Sequence, residues 1–161
     1  MTANQPSKMI QFANGDQHWR TESGILHRLD GPAIDHWNGD AWWYVNGLLH
    51  RQNGPAVELV SIGHNEWWLN GKLHRTNGPA IYSTSGRKEW WVEGVPHRLD
   101  APAIVTSTKE KWWYVNGVLH RDDGPAIVTA RYKMFYIAGK LTKKRLYPRK
   151  IKQYLEQQEN T

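Results

Sequence analysis

Along most of the chain, short stretches of aromatic and β-branched residues alternate with glycine-punctuated polar steps. One set reads Trp43-Tyr44-Val45-Asn46-Gly47, Trp67-Trp68-Leu69-Asn70-Gly71, Trp90-Trp91-Val92-Glu93-Gly94 and Trp113-Tyr114-Val115-Asn116-Gly117. A second set, Pro-Ala-Ile or Pro-Ala-Val, starts at Pro32, Pro55, Pro79, Pro102 and Pro125. Such runs are of strand length and rich in residues that suit a pleated surface, so both sets predict β-strands. Asn46-Gly47, Asn70-Gly71 and Asn116-Gly117 accept positive φ and predict hairpin turns. The R-x-[DN]-G step makes the second turn, and proline fixes φ where the next strand begins. Ala101 stands where the other copies have glycine. It precedes Pro102, which favours extended backbone, so this position does not require positive φ.

The pattern is one repeat. His27-Arg28-Leu29-Asp30-Gly31-Pro32-Ala33-Ile34 recurs from His50, His74, His97 and His120, at intervals of 23, 24, 23 and 23 residues. Each histidine follows a glycine by three residues (Gly24, Gly47, Gly71, Gly94, Gly117). Both ends are degenerate copies: Trp19 falls under Trp43, and Phe135-Tyr136-Ile137-Ala138-Gly139 keeps the aromatic pair before Thr142 replaces the histidine. Atypical terminal units are expected, because an end unit faces water where an inner one faces a neighbour. Two main strands per unit predict ten to twelve strands in successive hairpins.

The aromatic strand, N-G turn and following histidine resemble the MORN repeat superfamily of ~23-residue β-hairpin units, over about residues 9–142. The variant with H-R-x-D-G-P-A is the nearest, as in bacterial, phage and large-virus proteins. The resemblance implies an all-β fold: an elongated single antiparallel sheet of about six tandem hairpin repeats. The expected division is a flexible N-terminus (1–8), the array (9–142) and a basic C-terminal cap (143–161). In that cap Ile151, Tyr154 and Leu155 fit one short amphipathic helix after Pro148, placed to cover the exposed last strand.

Strand alternation sorts each unit into two faces. Trp43, Trp67, Trp90, Trp113 and Phe135 share a face with Val45, Leu69, Val92, Val115 and Ile137, a wholly apolar row expected to be core. The opposite face carries Tyr44, Trp68, Trp91, Tyr114 and Tyr136 beside polar neighbours such as Glu66, Glu89 and Asn70. An aromatic face with polar edges is a candidate binding surface. Its rings are spaced too widely to touch, so Pro and Ile of the next strand or a ligand must stand between them.

Composition narrows the chemistry. The 161 residues suit one domain of ordinary size and include no cysteine, which excludes a disulfide scaffold, a thiolate metal site and a cysteine nucleophile. No apolar run approaches a membrane span, and the N-terminus lacks a signal-peptide core; the expected location is cytoplasmic. Leu, Ile, Val and Phe together number only 32, so the ten tryptophans must supply burial. Corresponding histidines in successive hairpins lie too far apart to share a metal, so no metal or cofactor is expected. His120-Arg121-Asp122 spells the start of a kinase catalytic loop, but the companion motifs are missing and its sister copies read H-R-L, H-R-Q, H-R-T and H-R-L. A ladder of equivalent sites is a structural device rather than an active centre, so the protein is expected not to be an enzyme. The aspartate or asparagine is expected to cap its own turn, arginine to pair with an acid in the next unit, and histidine to pack edge-on against tryptophan.

The net charge of +6 is uneven: residues 1–130 carry 12 basic and 13 acidic side chains, whereas residues 131–161 carry 9 and 2. Lys143, Lys144, Arg145, Arg149 and Lys150 make the C-terminal end a candidate anion site. Three functions fit. The first is a non-enzymatic interaction protein that docks on a protein partner through its aromatic face and basic end; the phage-like resemblance makes a host-defence inhibitor one form of it. The others are a sequesterer of a nucleotide-like ligand and a nucleic-acid binder using the tail. Two aromatic faces on one sheet are also compatible with a homo-oligomer.

Overall fold

The computed structural model describes residues 6–146. Among these residues the chain is all-β, and thirteen antiparallel strands form one long sheet in chain order. The array begins at Lys8–Gln11 and ends at Lys140–Leu146. Lys143, Lys144 and Arg145 therefore belong to the last strand, and the boundary expected at residue 143 falls inside it. The helix expected after Pro148 lies outside the described residues. The one helical turn among those described is Val60–Ile62, and no helix is long and apolar enough to cross a membrane.

Each inner unit contributes four short strands rather than two. In one unit Val57–Leu59 and His64–Glu66 join the long sheet, and Trp68–Leu69 and Lys72–Leu73 then form a separate hairpin beside it. The aromatic run breaks at Trp67. Its N–H donates to the Ala80 carbonyl at 2.8 Å, while its own carbonyl accepts from the His74 N–H at 3.0 Å. Trp43, Trp90 and Trp113 make the same corner. The residue that receives the corner N–H is in each case an alanine. Ala56, Ala80, Ala103 and Ala126 are each 0% exposed, as is Ala33, which receives the same bond from Trp19 inside the unbroken strand Gln17–Arg20.

The side hairpins are themselves tied in series. The Arg51 N–H donates to the Trp68 carbonyl at 3.0 Å, and the Gly71 N–H donates to the Leu49 carbonyl at 2.9 Å. Their turns have the predicted geometry. Asn46, Asn70 and Asn116 take φ of 51°, 49° and 49°, each followed by a glycine at positive φ. Glu93 and Ala138 take the same strained conformation at φ 51° and 48°. Glycine of the D-G-P-A step behaves differently. Gly31, Gly54, Gly78 and Gly124 are not among the positive-φ residues. There the requirement is space, because an added Cβ would come within 2.6–3.1 Å of the neighbouring arginine Cζ.

The core lies on one face of the long sheet. Register places Ile34 beside Trp42, Trp42 beside Val57, Val57 beside Glu66, Glu66 beside Ile81 and Ile81 beside Glu89. The row continues through Ile104, Trp112, Ile127 and Met134. Isoleucine and valine of the Pro-Ala-Ile and Pro-Ala-Val strands thus stand between Trp42, Glu66, Glu89 and Trp112, the neighbours of the expected aromatic row, whose own rings lie on the separate hairpins. Val57, Ile81 and Glu89 are buried here. The hairpin residues two positions on share this face. The Trp68 indole donates to Glu66 at 2.8 Å, and the Trp91 indole donates to Glu89 at 2.9 Å.

Candidate functional site

The repeated His-Arg-x-[Asp/Asn]-Gly-Pro segment forms a clamp. Arg28, Arg51, Arg75 and Arg98 each lay the guanidinium 3.8 Å from the ring centroid of Trp19, Trp43, Trp67 and Trp90, and Arg121 lies 4.1 Å from Trp113. The same arginines donate from Nη1 to the carbonyl of the proline four residues on, at 3.2, 2.9, 3.0, 3.4 and 3.4 Å in chain order. Nε of Arg28, Arg75 and Arg121 also donates to Asp30, Asn77 and Asp123. Delocalised charge on a planar fork allows one side chain to stack on an indole and donate in plane at once, which lysine cannot do. The bond from Arg121 holds the Asp123 carboxyl below its ordinary value, and Arg28 does the same for Asp30. Arginine thus closes its own turn instead of pairing with an acid in the next unit. Arg51 likewise reaches Glu58 of its own segment at 2.7 Å.

Histidine links one unit to the next. His27 Nδ1 accepts from the Asn46 N–H at 3.0 Å, His97 Nδ1 from Asn116 at 3.0 Å, and His120 Nδ1 from Ala138 at 3.1 Å. His50 and His74 take the same bond from Asn70 and Glu93 at 3.2 and 3.3 Å. In every case the donor is the left-handed residue of the following turn. The expected edge-on packing against tryptophan gives way to a bridge to the next turn. At His27, His97 and His120 the backbone bond needs the ring in its Nε2–H form, whereas Nδ1 of His50 and His74 also lies 2.8 Å from Asn70 Oδ1 and Glu93 Oε1, a contact to the same turn residue that needs the proton on Nδ1.

Between successive clamps lie open clefts. Four of them are seen among the described residues, each about 470–560 Å³. One is framed by Arg51, Asn53 and Gly54 on one side and Trp67, Leu69 and His74 on the other. Its relatives repeat the pattern around Trp43, Trp90 and Trp113. The row expected as apolar core, Trp43, Trp67, Trp90 and Trp113 with Val45, Leu69, Val92 and Val115, therefore lines these clefts and is covered by guanidinium groups. Alternation sorted the faces, but it could not show that the cover on one of them is charged.

The candidate aromatic row is only half exposed. Tyr44, Trp68, Trp91, Tyr114 and Tyr136 sit on successive hairpins on the side shared with the core. Burial pushes the Tyr44 and Tyr114 phenols up, Tyr136 adding to the shift at Tyr114. Trp68 borders a shallow hollow of about 340 Å³ with Lys72 and Glu93. Lys143, Lys144 and Arg145 are brought together on the edge strand, with Lys144 5.4 Å from the Tyr132 ring centroid; Arg149 and Lys150 lie outside the described residues. Tyr136 is the row member adjoining this basic end, opposite Leu141 in the last hairpin.

One set of positions was missed from sequence. The variable residue of H-R-x (Leu29, Gln52, Thr76, Leu99, Asp122) is exposed at the cleft rims, with Leu29 at 60% and Leu99 at 69% exposure. Its variation within an otherwise constant segment was the available signal. No protein-family model and no curated protein matches the chain.

Proposed function

We propose that the protein is a non-enzymatic binding protein, a repeat scaffold that presents its row of clefts to a protein partner. One observation carries this reading. The clamp repeats with nearly constant geometry, while the side chain it holds out at each rim differs from unit to unit: Leu29, Gln52, Thr76, Leu99 and Asp122. Constant frame and variable exposed group are what a recognition surface requires, and tryptophan and arginine beneath the rim are residue types enriched at interface hot spots. Tyr44, Trp68, Trp91, Tyr114 and Tyr136 are the second candidate surface, and at the basic end Lys144 extends it, while Lys143 and Arg145 stand on the other face of the same strand. The MORN-like repeat motif supports a phage- or virus-type inhibitor of a host protein acting by occlusion.

The size of the clefts supports a second reading, sequestration of a nucleotide-like ligand, since small-molecule sites span ~300–1,000 Å³. Affinity capture from the native cell separates the two. One dominant co-purifying protein is expected, lost in Leu29→Asp with Leu99→Asp, both fully outside the core. A stoichiometric small molecule released by heat, with no protein captured, establishes sequestration instead. Retention of the protein partner by the double variant removes the rim from the interface.

A further inference from the structure

We infer that the solvent face of the C-terminal half of the long sheet binds the phosphate backbone of a nucleic acid. This surface is neither the cleft row nor the segment after Pro148. The strand register puts one residue from each strand into a single row across it. Lys88 stands opposite Val105, Val105 opposite Lys111, Lys111 opposite Val128, Val128 opposite Lys133, and Lys133 opposite Arg145. Neighbouring strands are ~4.8 Å apart, so Lys88, Lys111 and Lys133 recur at about 9.5 Å and Arg145 closes the row one strand further on. Lys143, opposite Phe135 and two residues from Arg145, adds a cation on the same side.

The charge on this face is of one sign. No carboxylate occurs in the register row from Lys88 to Arg145. The nearest strand acid, Glu89, points to the opposite face, where it is buried and engaged by Arg87 and Trp91. Glu110 precedes Lys111 in the adjoining turn, and Asp122 and Asp123 lie beyond the corner, bonded to His120 and Arg121. Lys88, Lys111, Lys143 and Arg145 are exposed. The N-terminal half of the same row reads Gln17, Asp35, Ala41, Glu58, Asn65 and Tyr82, without a cation. The positive band is thus bounded and sits at one end of the long sheet.

The chemistry of the row selects the ligand. Valines between the cations offer no hydrogen-bonding group, so the surface can read charge and spacing but not base identity. A line of like charges at regular spacing complements a linear polyanion, and contacts of this kind position a backbone without specifying sequence. A protein partner of ordinary kind needs an apolar centre within a hydrogen-bonded polar rim, which this row lacks.

The test uses the full chain and a fluorescent duplex of about 20 base pairs. With some four phosphates neutralised, affinity should fall roughly a hundredfold between ~50 and ~200 mM salt. Lys88→Glu combined with Lys111→Glu should weaken binding at least ~10-fold at the lower salt and flatten the salt dependence. Lys8→Glu with Lys72→Glu makes the same change in net charge away from the face and should leave affinity within about twofold. No binding at the lower salt overturns the proposal, and so does equal loss in the two double variants, which would mean attraction by net charge alone. Capture of poly-glutamate without the duplex also overturns it and makes the face an acidic-protein site.

Discussion

Arginine is the residue on which each unit turns. Its guanidinium covers an indole, bonds a proline carbonyl and, in three units, an aspartate or asparagine. A cation–π contact of this kind contributes ~0.5–2 kcal/mol depending on desolvation, and the hydrogen bonds add ~1 kcal/mol each. The glycine two residues before the buried alanine exists to admit that guanidinium. The fit is tightest at Gly31, where a Cβ would lie 2.6 Å from Arg28 Cζ, and loosest at Gly124, at 3.1 Å from Arg121 Cζ. Gly31→Ala should therefore destabilise by ~1–3 kcal/mol as an overpacking change, and Gly124→Ala by clearly less, as read by urea denaturation of the two variants. Ala101 is the natural form of this substitution. Its clamp keeps the stack on Trp90, and the Arg98 bond to the Pro102 carbonyl, 3.4 Å, matches that of Arg121 beside Gly124.

At the scale of elements, what could be read in advance was the periodicity, and what could not was its bending. Strand-length runs, Asn-Gly turns and an Ala101 without positive φ follow from local chemistry and appear in the structure. The corner at each tryptophan does not follow from alternation, because Trp42-Trp43-Tyr44-Val45 alternates as well for one straight strand as for two short ones. The corner is made by two backbone bonds in different directions, from the tryptophan N–H to the alanine of the following strand and to its carbonyl from the histidine N–H, and backbone bonds leave no mark in the pattern of side chains. The candidate site was legible to the same degree: the rows were identifiable, but an arginine eight or nine residues from its tryptophan in sequence gives no sign that it covers that ring. Turns show where the array departs from its own rule. Ala138 holds φ 48° with no side chain to favour it, a conformation that costs roughly 1–2 kcal/mol for an ordinary L-residue. Ala138→Asn should stabilise the last hairpin by ~1 kcal/mol, measured as a rise in the unfolding midpoint.

Across the whole molecule, stability must pass from unit to unit, since no large side chain among the described residues is fully buried and no single core dominates. Stacked arrays behave this way: each unit gains most of its stability from its neighbours. Three kinds of link do the joining here, namely the long sheet, the bonds between successive side hairpins, and the histidine bridges. The last are the most telling, because they assign the repeated histidine to architecture and leave the exposed rims and the basic face free for recognition. Native-state hydrogen exchange at the Asn46, Asn70, Glu93, Asn116 and Ala138 amides tests this most directly. These turn amides should be protected, most strongly at Asn70 and Glu93 in the middle of the array and least at Ala138 near its end. Exchange at all five as fast as in open peptide would contradict the account, because the histidines would then not be fastening one unit to the next.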